Sequence, residues 1–248
     1  MTEERYFKFT NSVLLVPMAA VLLIWVVFWI EVRFRINLND LGVYPRTLKG
    51  LRGVLFSPFI HGSLSHLYNN TIPIAVLSAA LVYFYRNIAW KVFIYGFFMA
   101  GLLTWVIGRS SYHIGASGII YVLVAFIFFK GAFTKHFRLM ALSLIVVFIY
   151  GSMLWYIFPV KDGISWEGHL AGFITGLALA IFVKADVPKP RKYAWEQEDY
   201  NEEEDDFLRH FDENGNFIEN PDGIEASKSE IQIRYHFRKQ DHRPPEES

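Results

Sequence analysis

The sequence predicts an all-α polytopic membrane protein: a bundle of six transmembrane helices, a long interfacial first loop and a polar C-terminal tail. Three observations predict it. Six runs carry no charged residue, at positions 13–30, 67–85, 92–108, 114–129, 139–160 and 170–183. Lys and Arg exceed Asp and Glu by 15 to 7 over residues 1–186, whereas residues 187–248 hold 9 against 17, so the zero net charge hides a basic apolar body and an acidic tail. The runs also lack the polar stripe that a helix on the surface of a soluble protein would show.

A helix that crosses the hydrocarbon needs roughly 20 residues, with about 17–25 usual. The runs at 13–30, 67–85, 92–108 and 139–160 meet that directly. Those at 114–129 and 170–183 fall short unless polar residues at their starts belong to the helices. A helix beginning inside the membrane needs protein or a water-filled cavity to satisfy its free N–H groups. These two short runs are thus the first sign of a buried polar site.

Residues 1–12 mix Glu3, Glu4, Arg5 and Lys8, with no small-residue cleavage site after them, so the first helix is expected to be retained behind a short cytoplasmic N-terminus. The membrane domain then covers residues 13–186. Its first connection, from Glu31 to about His66, places Arg33, Arg35, Arg46, Lys49 and Arg52 among Leu, Phe, Pro and Gly, a mixture suited to the membrane interface. Arg86 and Lys91 flank the second connection, Arg109 lies in the third, Lys130, Lys135 and Arg138 flank the fourth, and Lys161 lies in the fifth. Counting cations on alternate sides gives eleven against seven, which puts both termini in the cytoplasm and suggests the plasma membrane.

The tail, residues 187–248, is expected to be solvated and largely disordered, with an acidic run over 196–206. Asp212-Glu213-Asn214-Gly215-Asn216 resembles the start of a calcium loop, but Phe217 and Gly223 stand where that loop needs its glycine and its glutamate. Residues 227–237 alternate weakly, as a strand would. The absence of cysteine excludes disulfides, thiolate metal sites and cysteine nucleophiles, and the neutral isoelectric point gives no reason to expect nucleic acid. No metal or cofactor is expected.

Chemistry concentrates at the starts of three runs. His66 and Asn70 open the second, Ser117 the fourth and His169 the sixth, so alternating topology brings all three to one depth beneath one surface. Gly115-Ala116-Ser117-Gly118 reads first as a packing motif, since small residues let membrane helices approach closely. The same small neighbours leave room for a substrate backbone and expose the serine N–H at a positive helix end. Gly168, Gly172 and Gly176 recur every four residues and form a smooth stripe beside His169, an ionisable group that in a membrane segment suggests a site. The alternative is an interfacial histidine that snorkels. A neutral His169 could accept the Ser117 proton, with Tyr121 packed on the imidazole or lying in the interface. His66 and Asn70, four apart, share a helical face and could either bond across helices or aim donors at a developing oxyanion. His61 is close by in sequence. The six runs hold no Asp or Glu, so a Ser–His dyad is the most the sequence permits.

Across roughly residues 10–186 the chain resembles the rhomboid family of intramembrane serine proteases, through the serine motif Gly115-Ala116-Ser117-Gly118, the His66/Asn70 pair, and Gly168-His169 with Gly172 and Gly176. The resemblance implies that Ser117 is the nucleophile, His169 its base and Tyr121 a stacking partner. It further implies that His66, Asn70 and the Ser117 N–H bind the oxyanion, that Gly115, Gly118, Gly172 and Gly176 support the site, and that transmembrane proteins are the substrates. It departs from the family where a Trp-Arg pair often precedes the second helix; here the loop reads Leu51-Arg52-Gly53, which puts its anchoring in question. A non-proteolytic rhomboid-like protein that binds membrane helices is the alternative. A solute transporter would call for inverted repeats and midplane helix breaks, which the sequence does not show.

Overall fold

The computed structural model describes residues 6–161, 163–187, 193–202, 205 and 207–219. Among these the chain is helical, with isolated bridges and no strand. It divides into two compact units, Met1–Pro190 and Arg191–Ser248. The weakly alternating segment 227–237 lies outside the described residues.

The first unit is built on α1 (Ser12–Phe34), α2 (Leu64–Phe84), α3 (Arg86–Ile107), α4 (Ser117–Thr134), α5 (Phe137–Tyr150) and α6 (Trp166–Phe182). Helices α1 to α4, and α5 with its 3-10 extension to Ile157, are long and apolar enough to cross a membrane; α6, with 17 residues, is apolar but shorter. The unit is thus that of an integral, multi-pass membrane protein. Broad apolar faces point outward, as Phe148 (91% exposed) and Phe182 (79%) illustrate, because lipid rather than water is their solvent. Inside, α4 is buried from Ile120 to Ile127 without a break.

The helix limits differ from the uncharged runs in instructive ways. Helix α1 runs on through Glu31 and Arg33 to a left-handed cap at Arg35. Tyr85 alone separates α2 from α3, so Arg86 and Lys91 belong to the first turns of α3 rather than flanking a loop. Helix α2 starts where the Ser63 hydroxyl accepts the His66 N–H, which fixes His66 in the first turn. Helix α6 starts at Trp166, four residues before its uncharged run, and thereby takes in a buried glutamate, Glu167.

The first connection is ordered as 3-10 segments and two four-residue helices, Leu48–Leu51 and Gly53–Phe56. Val43 and His113 exchange backbone hydrogen bonds of 3.0 and 2.8 Å, the Trp105 indole donates to Thr47 O at 2.9 Å, and Arg46 donates to Gly108 O at 2.8 Å. Arg52 donates within the loop, to Asp40 O. The loop is therefore anchored to the end of α3 by Thr47 and to the α3–α4 connection by Val43 and Arg46, without a Trp-Arg pair.

The contact that positions the site is between α4 and α6. A Cβ at Gly172 would lie 2.2 Å from Gly118 O, and one at Gly176 would lie 2.4 Å from Val122 O. Backbone meets backbone at both. At Gly168 the missing Cβ faces Ser165 Oγ at 2.9 Å and Thr104, while its carbonyl oxygen stays on the seam, 3.5 Å from where a Cβ of Gly118 would stand. Each four-residue step turns about 40° beyond a full turn, so over eight residues the stripe rotates away by about 80°.

In the second unit, Asp212 accepts the Asn214 and Asn216 N–H groups and the Asn216 amide, closing a turn over which Phe211 and Phe217 pair as a bridge. The aspartate is thus engaged by its own turn, and no cluster suited to a metal occurs among the described residues.

The glycine contacts make unequal demands. Gly172→Ala and Gly176→Ala are expected to lower stability in detergent by about 2–3 kcal/mol through overpacking against main chain. Gly118→Ala, whose Cβ would sit 3.5 Å from Gly168 O, is expected to be near neutral. Equal melting temperatures for the three variants would contradict the backbone contact.

Candidate active site

The site lies where α2, α4 and α6 begin. Ser117 is the first residue of α4, which has no side-chain cap, so the N–H groups of its first turn project from the helix end. His169, in the first turn of α6, is brought to it by the α4–α6 contact: Nε2 lies 3.0 Å from Ser117 Oγ.

The protonation of that imidazole follows from its other side. His169 Nδ1 is 2.9 Å from Tyr156 O, and a carbonyl can only accept, so Nδ1 carries the proton. Nε2 is left as an acceptor, and the Ser117 hydroxyl donates to it. The Tyr121 ring stacks on the imidazole at 4.3 Å and 15°, while its hydroxyl donates to Met153 O at 2.6 Å. The 3-10 segment Gly151–Ile157 therefore holds the histidine from two directions, once directly and once through Tyr121.

His66 and Asn70 gather against Gly115, two residues before the serine. Gly115 has φ of +107°, and a Cβ there would lie 2.6 Å from the His66 ring and 3.5 Å from Asn70 Nδ2. Glycine is required at this position both by the left-handed backbone and by the space. Asn70 is buried, and its amide nitrogen has no hydrogen-bond partner. A buried amide donor left unpaired is costly, which makes it a candidate for a ligand contact.

The structure thus brings His169 into contact with both Ser117 and Tyr121, and collects His66 and Asn70 at Gly115. Gly118 and Gly172 form the seam beneath them, with Gly176 one turn further on.

Several residues of the site are not signalled by motif spacing. His61 is fully buried, lies edge-to-face with His66 at 5.0 Å, and accepts the Ala116 N–H through Nε2 at 3.5 Å while Nδ1 faces Phe59 O. Its place in His61-x-x-x-x-His66 was the available signal. Glu167, Arg109, His113 and Ser165 form a polar cluster behind His169, where the Arg109 guanidinium lies 3.4 Å from the buried Glu167 carboxylate. The carbonyls of Tyr156 and Met153 belong to the main chain and leave no trace in residue type.

The chain is similar to known proteins over most of this unit. The profile of the Rhomboid domain matches residues 49–185. An uncharacterized protein of Mycobacterium leprae is 35% identical over 183 residues, covering 68% of this chain and 70% of its own. Uncharacterized proteins of Mycobacterium tuberculosis and Mycobacterium bovis are each 35% identical over 167 residues, covering 63% of this chain and 68% of theirs.

Burial, with His66 beside it, pushes the His61 imidazole down to about 4 from its ordinary value near 6.5. The unfolded chain then binds more protons than the native one between those values, so this contribution to stability is complete above about pH 6.5 and is lost as pH falls towards 4. A glutamine amide can accept the Ala116 N–H at any pH. The melting temperature of His61→Gln is therefore expected to lie furthest below that of the wild type at pH 7, and the gap is expected to narrow on acidification to pH 4. A gap that widens would refute the neutral buried histidine.

Proposed function

Because this chain belongs to the rhomboid family, we propose that it is an intramembrane serine endopeptidase that cleaves transmembrane segments of other membrane proteins with a Ser117–His169 dyad. The observation that carries this reading is the 3.0 Å contact from Ser117 Oγ to an imidazole nitrogen that the Tyr156 carbonyl leaves unprotonated.

Ser117 Oγ attacks the carbonyl carbon of the scissile peptide as its proton passes to His169 Nε2. Charge develops on the carbonyl oxygen, towards which the Ser117 N–H, the unpaired Asn70 amide and His66 supply donors. Collapse breaks the C–N bond, and His169 returns the proton to the departing amine. Water then attacks the acyl ester, losing its proton to the same nitrogen, and the serine is restored. The chemistry calls for no metal or cofactor. Tyr121 keeps the imidazole plane fixed through both half-reactions.

The domain organisation belongs to the same proposal. Residues 1–12 form a cytoplasmic N-terminus, residues 13–186 a six-span membrane domain in which α6 is the sixth span, and residues 187–248 a cytoplasmic tail. The protein resides in the plasma membrane with both termini inside, supported by the excess of cations on that side.

Two experiments test this reading. With a fluorophosphonate probe in detergent, the wild type is expected to label, Ser117→Ala not at all, and His169→Ala ~100-fold or more slowly. Equal labelling of all three would sink the dyad. A wild type that binds a transmembrane peptide yet neither labels nor cleaves it would instead indicate a non-proteolytic helix-binding protein. Because the chain has no cysteine, Ser110→Cys and Lys135→Cys give clean topology reports. A membrane-impermeant maleimide applied to intact cells is expected to modify the first and not the second; the converse would invert the orientation.

A further inference from the structure

One buried charge of the membrane domain takes no part in the chemistry above. Glu167 is 2% exposed, lies in the first turn of α6, and precedes His169 by two residues. Its Oε1 accepts the Arg109 backbone N–H at 3.2 Å, and its Oε2 lies 3.4 Å from Arg109 Nη1. The same guanidinium donates from Nη2 to Ile164 O at 2.8 Å. A carboxylate in this position costs solvation free energy that a single half-exposed arginine offsets only in good geometry.

The partners of the pair show what it joins. Arg109 opens the α3–α4 connection, whose other end is Gly115-Ala116-Ser117. Within that connection His113 Nε2 faces Arg109 O at 3.1 Å and so carries the ring proton, leaving Nδ1 to accept the Ser165 hydroxyl at 2.5 Å. Ser165 is the residue before α6, and its carbonyl accepts the His169 N–H at 3.2 Å. The segment that ends in the serine is therefore bonded at two points, 109 and 113, to the turn that carries the histidine. Its far side is held by the Val43–His113 bridge and by Arg46 on Gly108 O.

The α4–α6 glycine seam sets how closely the two helices approach, but the seam is smooth. Gly118 and Gly172 offer no side chain that would oppose sliding along it, and Lys130 Nζ, donating to Ala180 O and Val183 O, holds only the far end of α6. At the start of α6, Glu167 and Ser165 supply that opposition, since a carboxylate only 2% exposed that leaves its partners stays desolvated without compensation.

We propose that Glu167, acting through Arg109 and supported by the Ser165–His113 bond, is a positioning residue that fixes the register of the α6 start against the serine-bearing loop and so sets the distance from His169 to Ser117. The proposal rests on the dyad reading for its catalytic meaning, but the register itself can be measured without catalysis.

The test uses the full chain in detergent with two readouts. The first is the rate of fluorophosphonate labelling. The second is the rate at which a short bis-methanethiosulfonate bridges Ser117→Cys and His169→Cys, in a chain that has no other cysteine. Glu167→Gln keeps an acceptor for the Arg109 N–H and loses the ion pair; Glu167→Ala loses both. Both rates are expected to fall in the order wild type, Gln, Ala, by ~3-fold and then ~10-fold or more, since small misplacements of reacting groups cost factors of this size. Partial rescue by glutamine at an unchanged melting temperature separates positioning from loss of fold. If Glu167→Ala does not fold, the Gln variant decides alone. Bridging at the wild-type rate in the folded variants overturns the proposal. A wild type that fails to label would refute the hydrolase reading, while the bridging rates would still decide the register.

Discussion

Everything about the site depends on two helices meeting main chain to main chain. Helices in a bilayer gain little from the hydrophobic effect when they associate, because lipid tails are as apolar as their side chains. What remains is close packing, and Gly172 and Gly176 bring α6 against Gly118 O and Val122 O at distances that no side chain would permit. The seam carries His169 to the first residue of α4. If α6 stood off by the thickness of one methyl group, the 3.0 Å contact to Ser117 would open to a gap that no longer transfers a proton directly. Packing and proton transfer are thus one geometric requirement.

The second constraint is the satisfaction of polar groups where water is scarce. The His169 imidazole is oriented by the carbonyl of Tyr156 rather than by a carboxylate. A carbonyl fixes the tautomer as firmly as a carboxylate does, since it too can only accept. It brings no charge to stabilise the imidazolium that would form in the proposed reaction, when the serine gives up its proton. That reaction would then rely more on the proposed oxyanion donors and on the stacked face of Tyr121. Because Tyr156 and Met153 lie in the same 3-10 segment, one element governs both the tautomer and the ring plane.

Much of this was legible in the sequence, and the limits of legibility have physical causes. Uncharged runs locate apolar helices well, because a charge within the hydrocarbon is expensive. They locate helix ends poorly, because ends are decided by caps and partners. Glu167 was excluded from its helix on charge alone, although a guanidinium from a segment 58 residues away makes its burial tolerable. The pairing of Ser117 with His169 could be read from small residues and the alternation of helix direction. The direction in which Gly168 faces could not, since a four-residue repeat drifts around the helix and only packing shows that its missing Cβ points to Ser165 and Thr104. His61 was visible but unassigned, because its partner is the Ala116 N–H rather than a side chain.

The short helices follow from the same logic. At 1.5 Å per residue, α4 with 18 residues, only just long enough to cross, and α6 with 17 are each about 26 Å long, at the short end of what a typical hydrocarbon core of about 30 Å requires. A helix this short leaves its first N–H groups below the level of bulk water, where they need partners from the protein. The residues leading into α4 find them, with Gly115 donating to Ser57 O and Ala116 facing His61. The start of α6 is tied to the α3–α4 connection through Ser165 and Glu167. Once side chains and carbonyls have been gathered to satisfy these ends, the surroundings are polar enough for water to be tolerated beside a serine. In the proposed six-span arrangement, the shortness of two helices and the capacity to hydrolyse a peptide within the membrane have a common origin.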